Sequence, residues 1–109
     1  MNFAEYQEAS RIFSRYPDAG KNYIYPTLGL AGEAGEVAET LKKMPRDKSG
    51  EVSDEARIEI RKELGDVLWY LTQLASELGI ALDDVADGNL KKLHDRMERG
   101  VLQGNGDNR

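Results

Sequence analysis

Between Asp54 and Gly79 one pattern repeats: Ile60, Leu64, Val67, Leu71, Leu74 and Leu78 recur every three or four residues. Such spacing lines up on one side of a 3.6-residue helix and leaves an apolar stripe that another element must cover. Few β-branched alternations occur anywhere, so the same logic runs through the whole chain. Residues 3 to 15 follow Asn2, a good N-cap, with Glu5 at the capping-box position. Pro17, Gly20 and Pro26 interrupt the pattern, and Thr27 is placed to cap a second helix reaching about Met44. A polar loop with Pro45 and Gly50 follows, then the striped helix, then a fourth helix from about Leu82 to Gly100. The expected architecture is all-α: a bundle of about four helices, with the short central connection folding the middle two into an antiparallel hairpin. Residues 101–109 carry Gly104 and Gly106 without apolar period, and their expectation is a flexible tail after a domain of residues 1–100.

Composition narrows the class. A chain of 109 residues builds one core, and 39% hydrophobic with 32% charged residues fits a globular domain rather than a disordered one. No apolar run approaches membrane-spanning length, and no basic-then-apolar leader opens the chain. Zero cysteines exclude a disulfide framework and a thiolate metal site, and fit a cytoplasmic protein. A net charge of -5 opposes binding of long nucleic acid, which needs excess lysine and arginine. A single small anion stays open if metal ions mediate.

The second and third helices carry the same pattern twice. Laid over each other so that Leu30 meets Ile60, the residues Glu33, Gly35, Glu36, Val37 and Leu41 fall on Glu63, Gly65, Asp66, Val67 and Leu71. Each acidic pair lies beside its apolar stripe, displaced to the same side. At ~1.5 Å per residue, both pairs sit about 10–12 Å from the loop that joins the helices. The four carboxylates therefore meet at one height. Such charges repel unless cations sit among them, and an oxygen-only donor set is the preference of Mg²⁺ or Mn²⁺. A ferritin-like di-iron site would want Glu-x-x-His, and the single histidine, His94, is not so placed. Gly29, Gly32 and Gly35 each cost the helix roughly 1 kcal/mol relative to alanine. At Gly32 and Gly35 they serve either close approach of a ligand or partner, or close helix packing.

"GEAGEVAE" followed by "KELGDVLWYL" resembles the MazG-like all-α nucleoside triphosphate pyrophosphohydrolases, whose signature is Glu-x-x-Glu, a spacer, then Glu-x-x-Asp. Here it reads Glu33, Glu36, a spacer over residues 37–62, then Glu63 and Asp66. "NLKKLHDRMERG" is similar to the family's Asn-x-x-Lys-Leu-x-x-Arg segment, so the resemblance runs from about Tyr25 to Gly100. Where many members place another acidic residue directly before the first motif glutamate, this chain has Gly32. The resemblance implies Mg²⁺-dependent hydrolysis of nucleoside triphosphates, dNTPs foremost, between the α and β phosphates. Products are the monophosphate and pyrophosphate, and the role is clearing the nucleotide pool. It implies metal ligation by Glu36, Glu63 and Asp66, with Glu33 a further ligand or the carboxylate that orients water. It also implies a dimer or dimer of dimers whose subunits share the site.

The fourth helix supplies cations. Leu82, Val85, Ala86, Leu93 and Met97 mark its expected buried stripe, with Asn89 inside it. Asn89, Lys92 and Arg96 form a row on adjoining turns, and matching family positions suggest phosphate contact. The bland alternatives are a helix–helix hydrogen bond for Asn89, and surface charge or ion pairing for the other two. Tyr70, one turn beyond Asp66, either contacts phosphate, sugar or base, or is a core-edge tyrosine. Tyr23 and Tyr25 are weaker base-contact candidates. Trp69, opposite the main stripe, suggests a second buried face, with a partner subunit the favoured cover. Glu77, lower on the same helix and outside the motif, is expected to be indifferent to the site.

Two other functions stay open on these residues. One is a helical nucleotide-sensing or interaction module that binds without turnover. The other keeps the superfamily and changes the substrate to dUTP, dCTP or a phosphoribosyl-ATP-type intermediate.

Overall fold

The computed structural model describes residues 1–48 and 51–109, the side chains of 45–48 excepted. The described residues are all-helical: α1 Phe3–Arg11, α2 Ile24–Lys48, α3 Asp54–Glu77 and α4 Leu82–Glu98. None of these helices is long and apolar enough to cross a membrane.

Local chemistry sets the boundaries. Asn2 Oδ1 accepts from the Glu5 N–H at 2.8 Å and starts α1. The helix ends at Arg11, earlier than its pattern suggests, because the next residues are drawn onto α3. Ser14 Oγ donates to Gln73 Oε1 at 2.8 Å, and the Tyr16 hydroxyl donates to Glu77 Oε2 at 2.6 Å. α2 begins three residues before the expected cap. Asn22 Oδ1 accepts from the Tyr25 N–H at 3.1 Å, so Asn22 does the capping. Pro26 falls in the first turn, where a missing N–H leaves no intrahelical bond unmade. Thr27 instead donates its hydroxyl to the Tyr23 carbonyl at 2.7 Å. At its far end α2 continues to Lys48, past the expected loop start at Pro45, and residues 49 and 50 of that loop lie outside the described residues. Ser53 caps α3 by accepting from the Ala56 N–H at 3.1 Å, with Asp54 and Glu55 favourably placed in its first turn.

α2 and α3 make the most extensive contact in the chain, while α1 packs on α3 and on α4. One close approach in the first contact demands glycine: a Cβ at Gly29 would stand 2.2 Å from Tyr70 Cε1. Gly32 and Gly35 have nothing within 4 Å of where a Cβ would be, so close packing within this chain is not their purpose. At the α1–α3–α4 corner, Gln7 Nε2 donates to the Ile80 carbonyl at 2.9 Å, and Gln7 Oε1 accepts from the Leu82 N–H at 2.8 Å.

The apolar core is thin. Tyr16, Ala75 and Leu82 are buried together with the polar Ser10, Thr72, Gln73 and Arg96. Meanwhile Leu28 is 68% exposed, Leu64 52% and Met97 58%. The radius of gyration is 16.8 Å, against about 13 Å for a compact domain of this length. The expected buried stripe of α4 is only begun: Leu82 is buried, but Val85, Asn89, Leu93 and Met97 are exposed. The helical period identified a face, and this chain alone does not cover it.

Candidate metal and nucleotide site

Where α2 passes α3, Thr40 Oγ1 donates to Glu63 Oε1 at 2.9 Å. Glu63 Oε2 is buried and has no hydrogen-bond partner. Buried polar atoms are almost always paired, and an orphaned carboxylate oxygen is costly. Glu33 lies half-buried, whereas Glu36 and Asp66 are exposed. Partial burial pushes the Glu33 carboxyl above the usual carboxylate range, and the charges of Asp66, Glu36 and Glu63 push it the same way. All four motif carboxylates thus share one electrostatic neighbourhood. Among the described residues, however, no three acidic or histidine side chains are drawn together closely enough to hold a metal ion as they stand.

Tyr70 borders this cluster. Burial raises its hydroxyl's pKa, followed by Tyr25 and by the charges of Glu33 and Asp66. On its other side stands an aromatic group. Tyr16 and Tyr25 stack at 4.9 Å, Tyr25 and Tyr70 lie 6.4 Å apart, and Trp69 meets Tyr70 edge-on at 5.1 Å. With Phe13 and Arg15 they line a cavity of about 290 Å³. A roomier concavity of about 660 Å³ lies between α1 and the α3–α4 corner, lined by Gln7, Arg11, Ser76 and Ile80 and by none of the motif carboxylates.

Two residues of α3 outside the acidic motif make contacts of their own. Trp69 does have a second buried face, part of which the chain's own α1 and the segment after it cover: Nε1 donates to the Ser10 carbonyl at 3.3 Å, and the ring meets Tyr16 edge-on at 6.5 Å. Glu77, apart from the acidic motif, has a structural part. Its side chain is fully buried, and Oε2 accepts from Arg11 Nη2, the Tyr16 hydroxyl and the Gly20 N–H at 2.6, 2.6 and 2.8 Å. Oε1 accepts from the Asn22 N–H at 2.7 Å. Burial alone would raise its pKa, but the bonds from Tyr16, Arg11, Gly20 and Asn22 hold it at about 2. Gly20 reaches this carboxylate with φ 99°, a conformation that glycine adopts without strain.

The cationic row stands apart. Asn89, Lys92 and Arg96 lie on α4, whose main contact is with α1 rather than with the α2–α3 pair. Lys92 Nζ and Arg96 Nη2 lie 2.7 and 3.0 Å from Asp107 Oδ1, in the segment after α4. Glu33, Glu36, Glu63, Asp66 and Tyr70 are therefore neighbours, and the α4 residues are not brought to them. Two residues were missed from the sequence. Thr40 sits one turn beyond Glu36 on α2, a spacing that could have flagged it. Tyr6 of α1 is close enough to Asp66 for that charge, after burial, to raise its hydroxyl's pKa. No spacing in the sequence announces Tyr6.

Comparison with known proteins adds three findings. A family model described as the MazG nucleotide pyrophosphohydrolase domain matches residues 25–101. The "Gene 37 protein" of Mycobacterium phage L5 is 48% identical over 114 aligned residues, which cover 100% of both chains. An uncharacterized protein of Bacillus subtilis (strain 168), YvdC, is 34% identical over 74 residues, covering 63% of this chain and 70% of that one. No solved structure matches.

Proposed function

The chain belongs to the MazG nucleotide pyrophosphohydrolase family, and from that premise we propose that it hydrolyses nucleoside triphosphates, dNTPs foremost, between the α and β phosphates. The observation that carries this reading is Glu63 Oε2, buried without a partner beside three other carboxylates. Two unit charges ~5 Å apart at an effective dielectric of ~20 repel by about 3 kcal/mol, less where water screens them. A cation is the natural relief, and an all-oxygen donor set suits Mg²⁺. Glu36, Glu63 and Asp66 would hold it, with Glu33 as a further ligand or the group that orients water. A divalent cation bound there supplies charge compensation for a polyphosphate and a more acidic water.

The remaining work falls to the chain's own groups. Thr40 fixes one oxygen of Glu63 and so aims the other. Glu33, with its raised proton affinity, is suited to take a proton from attacking water. Tyr70 separates the acidic cluster from the aromatic cavity, so phosphates at the former leave a base within stacking reach of the latter.

Assembly is part of the proposal. The contacts Gly29–Tyr70 and Thr40–Glu63 run in opposite directions along α2 and α3, which supports an antiparallel hairpin. The exposed Leu28, Leu64, Leu93 and Met97 favour a second copy covering the hairpin and α4. Such a partner would also supply Asn89, Lys92 and Arg96 to a cluster that the chain's own α4 does not reach. One experiment decides the activity: incubation with a panel of NTPs and dNTPs plus Mg²⁺, with products identified chromatographically. Monophosphate and pyrophosphate are expected. Diphosphate with orthophosphate would overturn the α–β assignment. Binding without turnover would favour the sensing module, a reading that the open spacing of the carboxylates makes worth separating.

A further inference from the structure

The segment after α4 is tied down by charge. Asp107 Oδ1 lies 2.7 Å from Lys92 Nζ and 3.0 Å from Arg96 Nη2, and the Asp107 carbonyl also accepts from Arg96 Nη2. A second knot holds the segment in that pose. Arg109 Nε donates to the Val101 carbonyl and Nη2 to that of Leu102, both at 3.0 Å, while Nη1 donates to Gly106 at 2.5 Å. Gly106 makes the necessary bend with φ 84°.

The two sides of this clasp differ in freedom. The Arg96 side chain is 6% exposed, whereas Asp107 is 76% exposed. Arginine and lysine carry a permanent demand for an anion, and guanidinium geometry accepts carboxylate and phosphate alike. Asp107 can leave into water with little packing lost. A pyrophosphate or triphosphate brings more charge and more acceptor oxygens to the same two cations. On the reading above that Lys92 and Arg96 serve the phosphates of a nucleotide, we propose that Asp107 is the internal occupant of their seat, displaced when a phosphate-bearing anion binds. The nature of the incoming anion rests on the pyrophosphohydrolase reading; the clasp itself does not. Asp107 then acts as a built-in competitor that raises the ligand concentration needed to fill the seat.

The test uses the full chain without metal and inorganic pyrophosphate as the probe, followed by calorimetric titration. Asp107→Asn removes the competing charge at an exposed position and should tighten pyrophosphate binding about fivefold, the scale set by two partly exposed ion pairs. Adding Lys92→Met to Asp107→Asn should cancel that gain. In amide NMR spectra of the wild type, pyrophosphate should move the signals of residues 101–109. An unchanged or weakened affinity in Asp107→Asn, or a gain that survives Lys92→Met, overturns the proposal. If Asp107→Asn tightens pyrophosphate binding while Mg²⁺-supported turnover is absent, the seat stands and the hydrolase reading falls. If turnover is present but Asp107→Asn changes neither pyrophosphate affinity nor KM, the clasp falls alone.

Discussion

Two glutamates on α3 show opposite uses of the same side chain. Glu77, near the end of the helix, receives hydrogen bonds from Arg11, Tyr16, Gly20 and Asn22, and its carboxyl is held at about 2. Glu63, earlier on the helix, has Thr40 on one oxygen and nothing on the other. The first is a completed structural joint that pins the loop between α1 and α2 onto α3. The second is unfinished within the chain. A carboxylate saturated by its own fold has no capacity left for a ligand, and one left half-satisfied stores destabilisation that a ligand can relieve.

The largest effect should come from breaking the finished end. Glu77→Gln removes the charge opposite Arg11 and puts an amide N–H₂ at one of two acceptor positions, so either Arg11, Tyr16 and the Gly20 N–H, or else the Asn22 N–H, are left without an acceptor. A loss of about 3–4 kcal/mol is expected, the scale of removing one partner from a buried pair, seen as a melting temperature lower by ten degrees or more. A melting point within two degrees of wild type would erase the contrast.

At the unfinished end the signs reverse. Glu63→Gln should cut turnover at least ~100-fold, or about 2.7 kcal/mol, while raising the melting temperature of the metal-free protein by relieving repulsion. It should also remove most of the stabilisation that Mg²⁺ gives the wild type. If stability, Mg²⁺ response and turnover all stay near wild type, the carboxylates form a solvated face and the enzyme reading goes with them.

Thr40 sharpens the comparison. Thr40→Val should weaken Mn²⁺ binding about tenfold, as loss of a ligand's hydrogen-bond partner commonly does, and Thr40→Ser should restore it. Mn²⁺ titration by electron paramagnetic resonance reads this directly. Equal affinities in all three proteins would show that Glu63 needs no such positioning.

The smallest effect is in pH. The lowered pKa of Glu77 means its stability contribution is present above the ordinary value of 4.5 and is lost as pH falls toward about 2. The raised pKa of Glu33 acts the other way: its contribution is full below 4.5 and is lost as pH rises through the raised value. Metal-free protein melted across pH 2–8 should therefore peak in mildly acid solution. Glu77→Gln should flatten the acid limb, and Glu33→Gln, which removes the titrating group itself, should flatten the gentler limb above the peak. A stability maximum at neutral pH without metal would contradict the repulsion at the site.

Much of this was legible because helices are local objects. The apolar period, the Asn2 and Ser53 caps and the paired acidic motif depend on residues within a few turns, so spacing alone located four helices and put Glu33, Glu36, Glu63 and Asp66 in one neighbourhood. The start of α2 was misplaced because Asn22 and Thr27 both offer capping side chains, and only backbone geometry selects between them. The structural part of Glu77 was not legible for a different reason: its donors lie 55 to 66 residues away along the chain, and no short-range pattern points to them.

The sequence by itself determined the helices, the family and the chemical character of the acidic cluster, since each depends on residue type and short-range spacing. Only the tertiary structure decided which carboxylate is satisfied and which is left open. It also decided that Trp69 rests on α1, that Gly29 yields to Tyr70 while Gly32 and Gly35 face open space, and that Lys92 and Arg96 hold Asp107. Hydrogen bonds and ion pairs act over a few ångströms in space, and a linear pattern carries no record of which distant segments come that close.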